Sequence, residues 1–294
     1  MDWVIGEFEQ FEVREPACQT IPFVYNSPHS GRCYPVSFLN ETRLDSLAIR
    51  RSADHYVDEL FAAAPDLGAP LLAANFPRAY LDVNREPYEL DPKMFDGPLP
   101  PYANIGSMRV AGGLGTIPRI VAENVEIYRG RLCIEEGLSR IESIYKPYHA
   151  ALRRLIARTH TQFGVSILID CHSMPGNVRL SGSEIKPDFI IGDRYGTSAS
   201  AELSRTAIGI LTELGFSAVR NKPYAGGFIT EHYGRPARGL HALQVEINRG
   251  LYVDEVTLAK RPDFDAVAGN LFTFMRQLSE FADELSGTTA LAAE

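Results

Sequence analysis

Short apolar runs rich in β-branched residues recur along the chain, and helical patterns separate them. These runs have the length of buried strands, whereas the segments between them carry apolar residues at the spacing of amphipathic helices. Such alternation predicts an α/β fold with a mostly parallel or mixed twisted sheet and helices on both faces. The predicted strands cover residues 21–25, 71–74, 79–83, 165–169, 189–191 and 243–247.

Four helices are predicted between and after these strands. Ser52 is the expected N-cap of the first, and Pro147 is expected to kink the second. With no internal repeat and no clear linker, we expect a single domain over residues 1–294 with its core at about 18–285. The predicted helices begin near Ser52 and then cover residues 138–155, 198–214 and 264–285.

The charge balance narrows the class of partner. The chain has 37 acidic and 29 basic residues and a formal net charge of -8, which disfavours binding to nucleic acid or to an anionic membrane surface. An anionic ligand must therefore meet local positive charge. The four scattered cysteines, the acidic N-terminal segment and the lack of a long apolar run predict a reduced, cytoplasmic protein without a membrane partner.

Two histidines follow predicted strands, where open α/β sheets bind ligands. His29 lies in the segment SPHSGR, and His172 lies in DCHSMPG directly after the most apolar strand. Asp170 precedes His172 by two residues and could orient its ring. Two imidazoles at strand ends are typical of a zinc site, which needs a third protein ligand and an open position.

A carboxylate is the expected third ligand. In SADHYVDELF, Asp54 and Asp58 fall on the helical stripe that faces the core, where a carboxylate is costly unless it is paired or bound to metal. Asp54 is the first candidate and Asp58 the alternative. Asp54 could equally be an acid at a helix N-terminus, stabilised by the helix dipole.

Polar residues at two further predicted strand ends point to catalysis and substrate binding. Glu246 interrupts the apolar run LQVEIN, either as a general base or as the ion-pair partner of Arg249. Arg85 follows Asn84, and its guanidinium could bind a planar carboxylate through paired hydrogen bonds. Further arginines could complete an anion pocket, and the glycine-flanked segment 223–236 could form a mobile lid. Those arginines are Arg78, Arg119, Arg235 and Arg238.

Taken in order, five motifs resemble the N-formylglutamate amidohydrolase family over most of the chain. The resemblance implies hydrolysis of N-formyl-L-glutamate to formate and L-glutamate, a divalent metal, most simply zinc, and a role in histidine degradation. The motifs are YNSPHSGR, RSADHYVDELF, FPRAYLDVNREP, DCHSMPG and QVEINRGLY.

That family is similar in turn to the zinc carboxypeptidases and aspartoacylases. This implies metal binding by His29 and His172, carboxylate binding by Asn84 with Arg85, and catalysis by Glu246. Carboxypeptidases have a glutamate ligand three residues after the first histidine, where this chain has Arg32. Asp54 is the predicted replacement.

A dianionic substrate needs a second cationic partner, for which Arg32 and Arg119 are the candidates. Two other functions remain open: a metal-dependent deacylase of another N-acyl acidic amino acid or short acidic peptide, and a non-catalytic protein that binds an acidic amino acid. A serine or cysteine hydrolase has little support, because Cys171 and His172 are neighbours on a strand and point to opposite faces.

Overall fold

A computed structural model describes residues 4–180 and 186–291, with side chains described as far as residue 281. Within it the chain forms two compact units. The first comprises residues 4–12, Pro28–Ala53 and Ala73–Ala151, and the second comprises Val13–Ser27, Asp54–Leu72, 152–180 and 186–291. The single-domain expectation stays a prediction.

The described strands range from two to nine residues. In chain order they are β1 (Val4–Ile5), β2 (Phe11–Arg14), β3 (Phe23–Ser27), β4 (Cys33–Tyr34), β5 (Leu71–Ala74), β6 (Phe95–Asp96), β7 (Ile120–Ala122), β8 (Val125–Glu126), β9 (Leu132–Cys133), β10 (Ser166–Met174), β11 (Phe189–Gly192), β12 (Ala218–Arg220), β13 (Leu240–Asn248), β14 (Val253–Asp254) and β15 (Ala259–Lys260).

The described helices include one π-helical segment, Ile141–Tyr145, between α4 and α5. The described α-helices are α1 (Val36–Glu41), α2 (Val57–Leu60), α3 (Met108–Ala111), α4 (Ile134–Arg140), α5 (Lys146–Phe163), α6 (Ala201–Glu213), α7 (Phe228–Tyr233) and α8 (Phe264–Leu291). None of the described helices has the length and apolar character needed to cross a membrane.

A seven-stranded mixed sheet has the order β12-β11-β13-β10-β3-β5-β2. Strand β10 is parallel to both β3 and β13, β11 is parallel to β12, and β11 is antiparallel to β13. The predicted mixed α/β sheet is therefore confirmed. Because β10 and β13 are nine residues long and buried along most of their length, they carry side chains well beyond the predicted strand ends.

The two faces of the sheet differ in chemistry in the second unit. Alternate residues of β10, namely Ile167, Ile169 and Cys171, join an apolar cluster with residues of α2, α6 and α8. Cys171 is buried there. Side chains alternate along a strand, so Asp170 and His172 lie on the opposite face. Helix α7 packs on β10 and β13, with the N–H of Gly227 at its start donating to Gln244 on that face.

A buried arginine organises part of the first unit. The Arg140 guanidinium lies 3.9 Å from the ring centroid of Tyr80 and donates to the Tyr128 hydroxyl at 2.7 Å. Glu136, four residues earlier on the same helix, accepts from Arg140 Nε at 2.6 Å. The charge is thus paired and covered by aromatic rings, which is the condition for burying a guanidinium.

Two local predictions are wrong. Residues 79–83 form turns and irregular structure rather than a strand. The helix expected from Ser52 shrinks to Val57–Leu60, because Tyr56 has a φ of 57° in the left-handed region, which interrupts a right-handed helix. The helix predicted around Pro147 is present and contains the π-helical segment directly before α5, and the kink at Pro147 stays a prediction.

Candidate active site

Strands β10 and β13 carry Asp170, His172 and Glu246. In their parallel pairing His172 lies opposite Glu246, and Asp170 lies opposite Gln244. Residues two apart on a strand face the same side, so these four side chains share one face of the sheet. The sequence predicted that His172 follows its strand, but it lies within β10, because the strand continues to Met174.

His172 is held between two carboxylates. Its Nδ1 lies 3.0 Å from Asp54 Oδ2, and its Nε2 lies 3.0 Å from Asp170 Oδ2. Asn26 Nδ2 donates to the other oxygen of Asp170 at 2.7 Å. Burial lowers the pKa of His172, but the charges and hydrogen bonds of Asp170 and Asp54 outweigh it and raise that pKa well above its ordinary value. The predicted role of Asp170 in orienting His172 agrees with this contact.

Asp54 reaches His172 from an irregular segment, not from a helix. It precedes the left-handed residue Tyr56, so the expected helical stripe shared with Asp58 does not exist. Arg249 donates to Asp54 Oδ1 at 3.4 Å and to the Ser173 hydroxyl at 3.3 Å. This contact ties Arg249 to Asp54, although the sequence also allowed Arg249 as a partner for Glu246.

The alternative ligand, Asp58, lies in an ion pair, and its assignment as a metal ligand stays a prediction. Arg14 contacts the Asp58 carboxylate at 3.3 Å and also donates to its backbone carbonyl at 3.2 Å. Both residues lie in the second unit. The Asp58 carboxylate therefore serves an ion pair between β2 and α2.

Glu246 is buried and oriented through its own strand. Gln244 Nε2 donates to Glu246 Oε1 at 2.7 Å, and Gln244 Oε1 in turn accepts from the backbone N–H of Gly227 at 2.7 Å. The amide of Gln244 thus has its donor and its acceptor both in use. This fixes one carboxylate oxygen of Glu246 next to the strand position of His172.

In the first unit, the carboxylate of Asp82 joins His29 to the segment that carries Arg78 and Arg85, which we call the arginine loop. Asp82 Oδ1 lies 2.8 Å from His29 Nε2 and accepts from the backbone N–H of Asn84 at 2.8 Å. Asp82 Oδ2 accepts from Arg78 Nε at 3.1 Å and lies 3.6 Å from a terminal nitrogen of Arg85. Burial raises the pKa of Asp82, but the charges of Arg85, His29 and Arg78 outweigh it and hold that pKa well below its ordinary value.

Arg85 is buried and held by backbone carbonyls. Its Nε donates to the carbonyl of Leu114 and its Nη1 to that of Asn84, each at 2.8 Å. The Tyr145 hydroxyl donates to the Arg85 carbonyl at 2.6 Å. The Tyr145 ring stacks on His149 with centroids 4.3 Å apart, and His149 Nε2 donates to the carbonyl of Val83 at 2.9 Å. The π-helical segment thus fixes the backbone on which Arg85 stands.

His29, Asp54 and His172 form a buried group that could hold a metal ion. One possible ligand atom from each lies within 4.8 Å of the others. Two imidazoles and a carboxylate are a common donor set for zinc. Each histidine also contacts a further carboxylate, Asp82 for His29 and Asp170 for His172, as metal-binding histidines usually do. The donor set and its surroundings fit a divalent cation.

The two candidates for a second substrate carboxylate have different surroundings. Arg119 Nε donates to Asp91 at 2.9 Å, and its Nη1 lies 3.3 Å from Glu126. Arg32 is half-buried, and its backbone carbonyl accepts from Val4 at 2.9 Å. Their assignment to substrate stays a prediction.

Sequence reasoning missed several residues that shape the site. Asp82 is an acid within the apolar run AYLDV, the same signal that identified Glu246, but the run was assigned only as a strand. Gln244 lies two residues before Glu246 and therefore on the same face. No comparable signal marks Tyr145 or His149, because their role depends on the π-helical register.

Residues 21–253 match the family model described as N-formylglutamate amidohydrolase. The crystal structure of N-formylglutamate amidohydrolase from Ralstonia eutropha JMP134 is similar with a TM-score of 0.88 and 33% identity, over 94% of this chain and 99% of that one. An Agrobacterium tumefaciens gene product of known structure shares the fold at 18% identity, with a TM-score of 0.62 over 94% of this chain and 97% of its own.

A curated relative is similar over most of its length. The N-formylglutamate deformylase of Pseudomonas putida is 30% identical over 238 residues, which are 80% of this chain and 83% of that protein. These similarities agree with the resemblance predicted from the five motifs. The more distant relation to zinc carboxypeptidases stays a prediction.

Proposed function

The chain belongs to the N-formylglutamate amidohydrolase family, and from this premise we propose that it hydrolyses N-formyl-L-glutamate to formate and L-glutamate with a divalent metal. The observation that carries the proposal is the buried group of His29, Asp54 and His172. The names of the relatives supply the substrate, and the surroundings of Arg85 are consistent with its acidic character.

In this proposal His29, Asp54 and His172 are the metal ligands. Asp82 holds the His29 ring through Nε2, so that Nδ1 is the nitrogen that would face the cation. Asp170 holds the His172 ring in the same way, so that its Nδ1, now beside Asp54, would be the ligand atom. When bound, the cation would supply Lewis acidity, which activates water and polarises the formyl carbonyl. We propose zinc because this donor set suits it.

Glu246 is the proposed general base and acid. It lies opposite His172 in the strand pairing, and Gln244 holds one of its carboxylate oxygens. In the hydrolysis, Glu246 would take a proton from the attacking water and return it to the nitrogen of glutamate as the C–N bond breaks. The hydrogen bond from Gln244 orients the Glu246 carboxylate before substrate binds.

Asn84 and Arg85 are the proposed partners of one substrate carboxylate. Arg85 is positioned by Leu114, Asn84 and Tyr145 before any substrate arrives, so little side-chain entropy is lost on binding. Asp82 contacts both Arg85 and His29. One carboxylate therefore links the anion-binding arginine to a metal ligand, which would fix the distance between the bound acid and the reacting carbonyl.

The test is formate release from N-formyl-L-glutamate by the purified protein. Activity should be lost after chelation and return when zinc, manganese or cobalt is added. N-formylaspartate and N-succinylglutamate, measured in parallel, report whether another N-acyl acidic amino acid is preferred. Tight binding of N-formylglutamate in the presence of metal without formate release would contradict the proposal and favour a binding protein.

A further inference from the structure

Next to the loop of Arg85 lies a further arginine, Arg109, that the proposed mechanism does not use. Arg109 lies on the four-residue helix α3, and its side chain is 34% exposed. The segment that follows, GGLG, returns the chain to the loop of Arg85. Leu114 links the two arginines, because its N–H donates to the Arg109 carbonyl at 2.8 Å and its own carbonyl accepts from Arg85 Nε.

Close backbone packing holds this link in place. The N–H of Thr116 donates to the carbonyl of Glu89 and the N–H of Asp82 donates to the carbonyl of Thr116, each at 2.8 Å. A Cβ at Gly115 would lie 2.2 Å from the Glu89 carbonyl oxygen, and Gly113 has a φ of 75°. Glycine at 115 therefore allows the chain to approach Glu89 this closely, and glycine at 113 allows the left-handed backbone conformation. These contacts hold helix α3 next to the loop of Arg85.

Three guanidinium groups and two buried carboxylates lie close together around Arg85. Burial lowers the pKa of Arg85 and Asp82 raises it, while the positive charges of Arg78 and Arg109 lower it. Against these three guanidinium groups stand the buried carboxylates of Asp82 and Glu89. Glu86 also belongs to this loop, but it is exposed and accepts from Asn104. A bound anion would relieve the repulsion between the arginines.

Arg109 is less firmly paired than Arg119. Its Nη1 lies 3.8 Å from Glu89 Oε2, near the limit for an ion pair, and Glu89 Oε2 also accepts from the Glu86 N–H at 3.3 Å. Arg119 instead lies between Asp91 and Glu126 at 2.9 and 3.3 Å. An incoming carboxylate would have to displace two acids from Arg119 but could complete the hydrogen bonding of Arg109.

We propose that Arg109 binds the second carboxylate of the substrate while Arg85 binds the first, an inference that rests on the proposed function. The pair would then make the site selective for dicarboxylic N-acyl amino acids. A neutral side chain in place of the second carboxylate would leave the guanidinium of Arg109 without that partner.

The first experiment measures kcat/KM for Arg109→Met with N-formyl-L-glutamate and with its two monoamides, N-formylglutamine and N-formylisoglutamine. We expect a loss of about tenfold, the scale of a hydrogen bond to a charged group, with N-formylglutamate and with one monoamide. The other monoamide lacks the carboxylate that Arg109 would bind, so its kcat/KM should change less than about twofold, by the same reasoning. Arg109→Lys should recover part of the loss.

Controls separate binding from folding. Arg276→Met removes another partly exposed arginine, paired with Glu280 at 2.9 Å, and should leave all three substrates unaffected. Arg109→Gln provides a second neutral variant if Arg109→Met does not fold. An equal loss on all three substrates, or no loss on any, would overturn the inference. So would removal of the diacid preference by Arg119→Met and not by Arg109→Met.

A second experiment needs no turnover. Calorimetric titration of the zinc-loaded wild type should show tighter binding of glutarate than of its monoamide, and Arg109→Met should abolish that difference. If the wild type releases no formate but shows this change, the proposed function fails and the dicarboxylate site stands. If formate release is normal and Arg109→Met still prefers glutarate, the inference about Arg109 fails alone.

Discussion

Replacing Asp82 with asparagine changes one atom and removes the charge that joins His29 to the arginine loop. Asp82 is 1% exposed, and its carboxylate is contacted by donors from Arg78 and Asn84 and by the His29 ring. Asparagine offers one oxygen and one NH2 group in place of two acceptors. Its NH2 group would have to face at least one of these donors, so a buried polar group would lose its partner.

The structure sets the size of the effect. Removing one member of a buried ion pair costs about 3–5 kcal/mol, and we expect about 3 kcal/mol because the Arg78 side chain is one-quarter exposed and can reach water. Loss of the carboxylate behind a histidine ligand lowers metal affinity by about 10-fold to 100-fold. Asp82→Asn should therefore weaken both the fold and the metal site.

The pH dependence has a definite sign. Burial raises the pKa of Asp82, but Arg85, His29 and Arg78 outweigh burial and hold that pKa well below its ordinary value. The contribution of Asp82 to the stability of the fold is then complete above the pKa that an aspartate has in the unfolded chain, about 3.9. This contribution is lost as the pH falls through the lower pKa that Asp82 has in the folded state. The difference between wild type and Asp82→Asn should be full at pH 7 and should shrink only below about pH 4.

Urea unfolding of the metal-free protein at several pH values measures the stability change, and competition with a chelating dye measures metal affinity. Asp66→Asn, at an exposed position, is the matched control and should change neither quantity. A stability loss below about 1 kcal/mol, the scale of an exposed ion pair, together with unchanged metal affinity, would refute the role assigned to Asp82.

Three further predictions test other parts of the site and the fold. Glu246→Gln should retain metal and lose about two or more powers of ten in kcat, and near-normal formate release would remove Glu246 as the base. His172→Ala should lose both metal and activity, whereas full metal occupancy by elemental analysis would exclude His172 as a ligand. Burial raises the pKa of Asp193, but hydrogen bonds from Arg220, Ser204 and Asn221 outweigh it and lower that pKa. Asp193→Asn should therefore lower the free energy of unfolding by about 3 kcal/mol at pH 7, and by less as the pH falls below about 3.9. Thermal unfolding at pH 7 and pH 3 measures this difference, and an equal loss of stability at both pH values would contradict the predicted sign.

The sheet could be predicted from the sequence because its strands are nearly continuous apolar runs. The runs at 71–74 and 189–191 became β5 and β11 with little change in their limits. Strands β10 and β13 proved longer than predicted, because polar residues such as Asp170 and Asn248 continue the strand where their partners satisfy them. A pattern of apolar residues cannot show that continuation.

The candidate metal ligands could be predicted because histidine and aspartate are rare in buried runs without a partner or a metal. The local structure around them could not. Tyr56 breaks the helix that was expected to carry Asp54, and the segment containing Asp82 is irregular and is held by a long-range hydrogen bond from the Asp82 N–H to the Thr116 carbonyl. Such contacts depend on residues far apart in the sequence, which local propensity does not report.

The π-helical segment limits how the chain can vary in length. Deleting one residue from Ile141–Tyr145 would let α4 and α5 join as one regular helix, a change that looks harmless by helix propensity. It would also turn every preceding side chain by about 100° relative to those that follow. If α5 stayed docked, α4 would rotate and would turn Arg140 away from its partners. If α4 stayed docked, Tyr145 would leave the Arg85 carbonyl. Homologues that keep this arginine loop should therefore tolerate insertions and deletions in surface turns but not within these five residues.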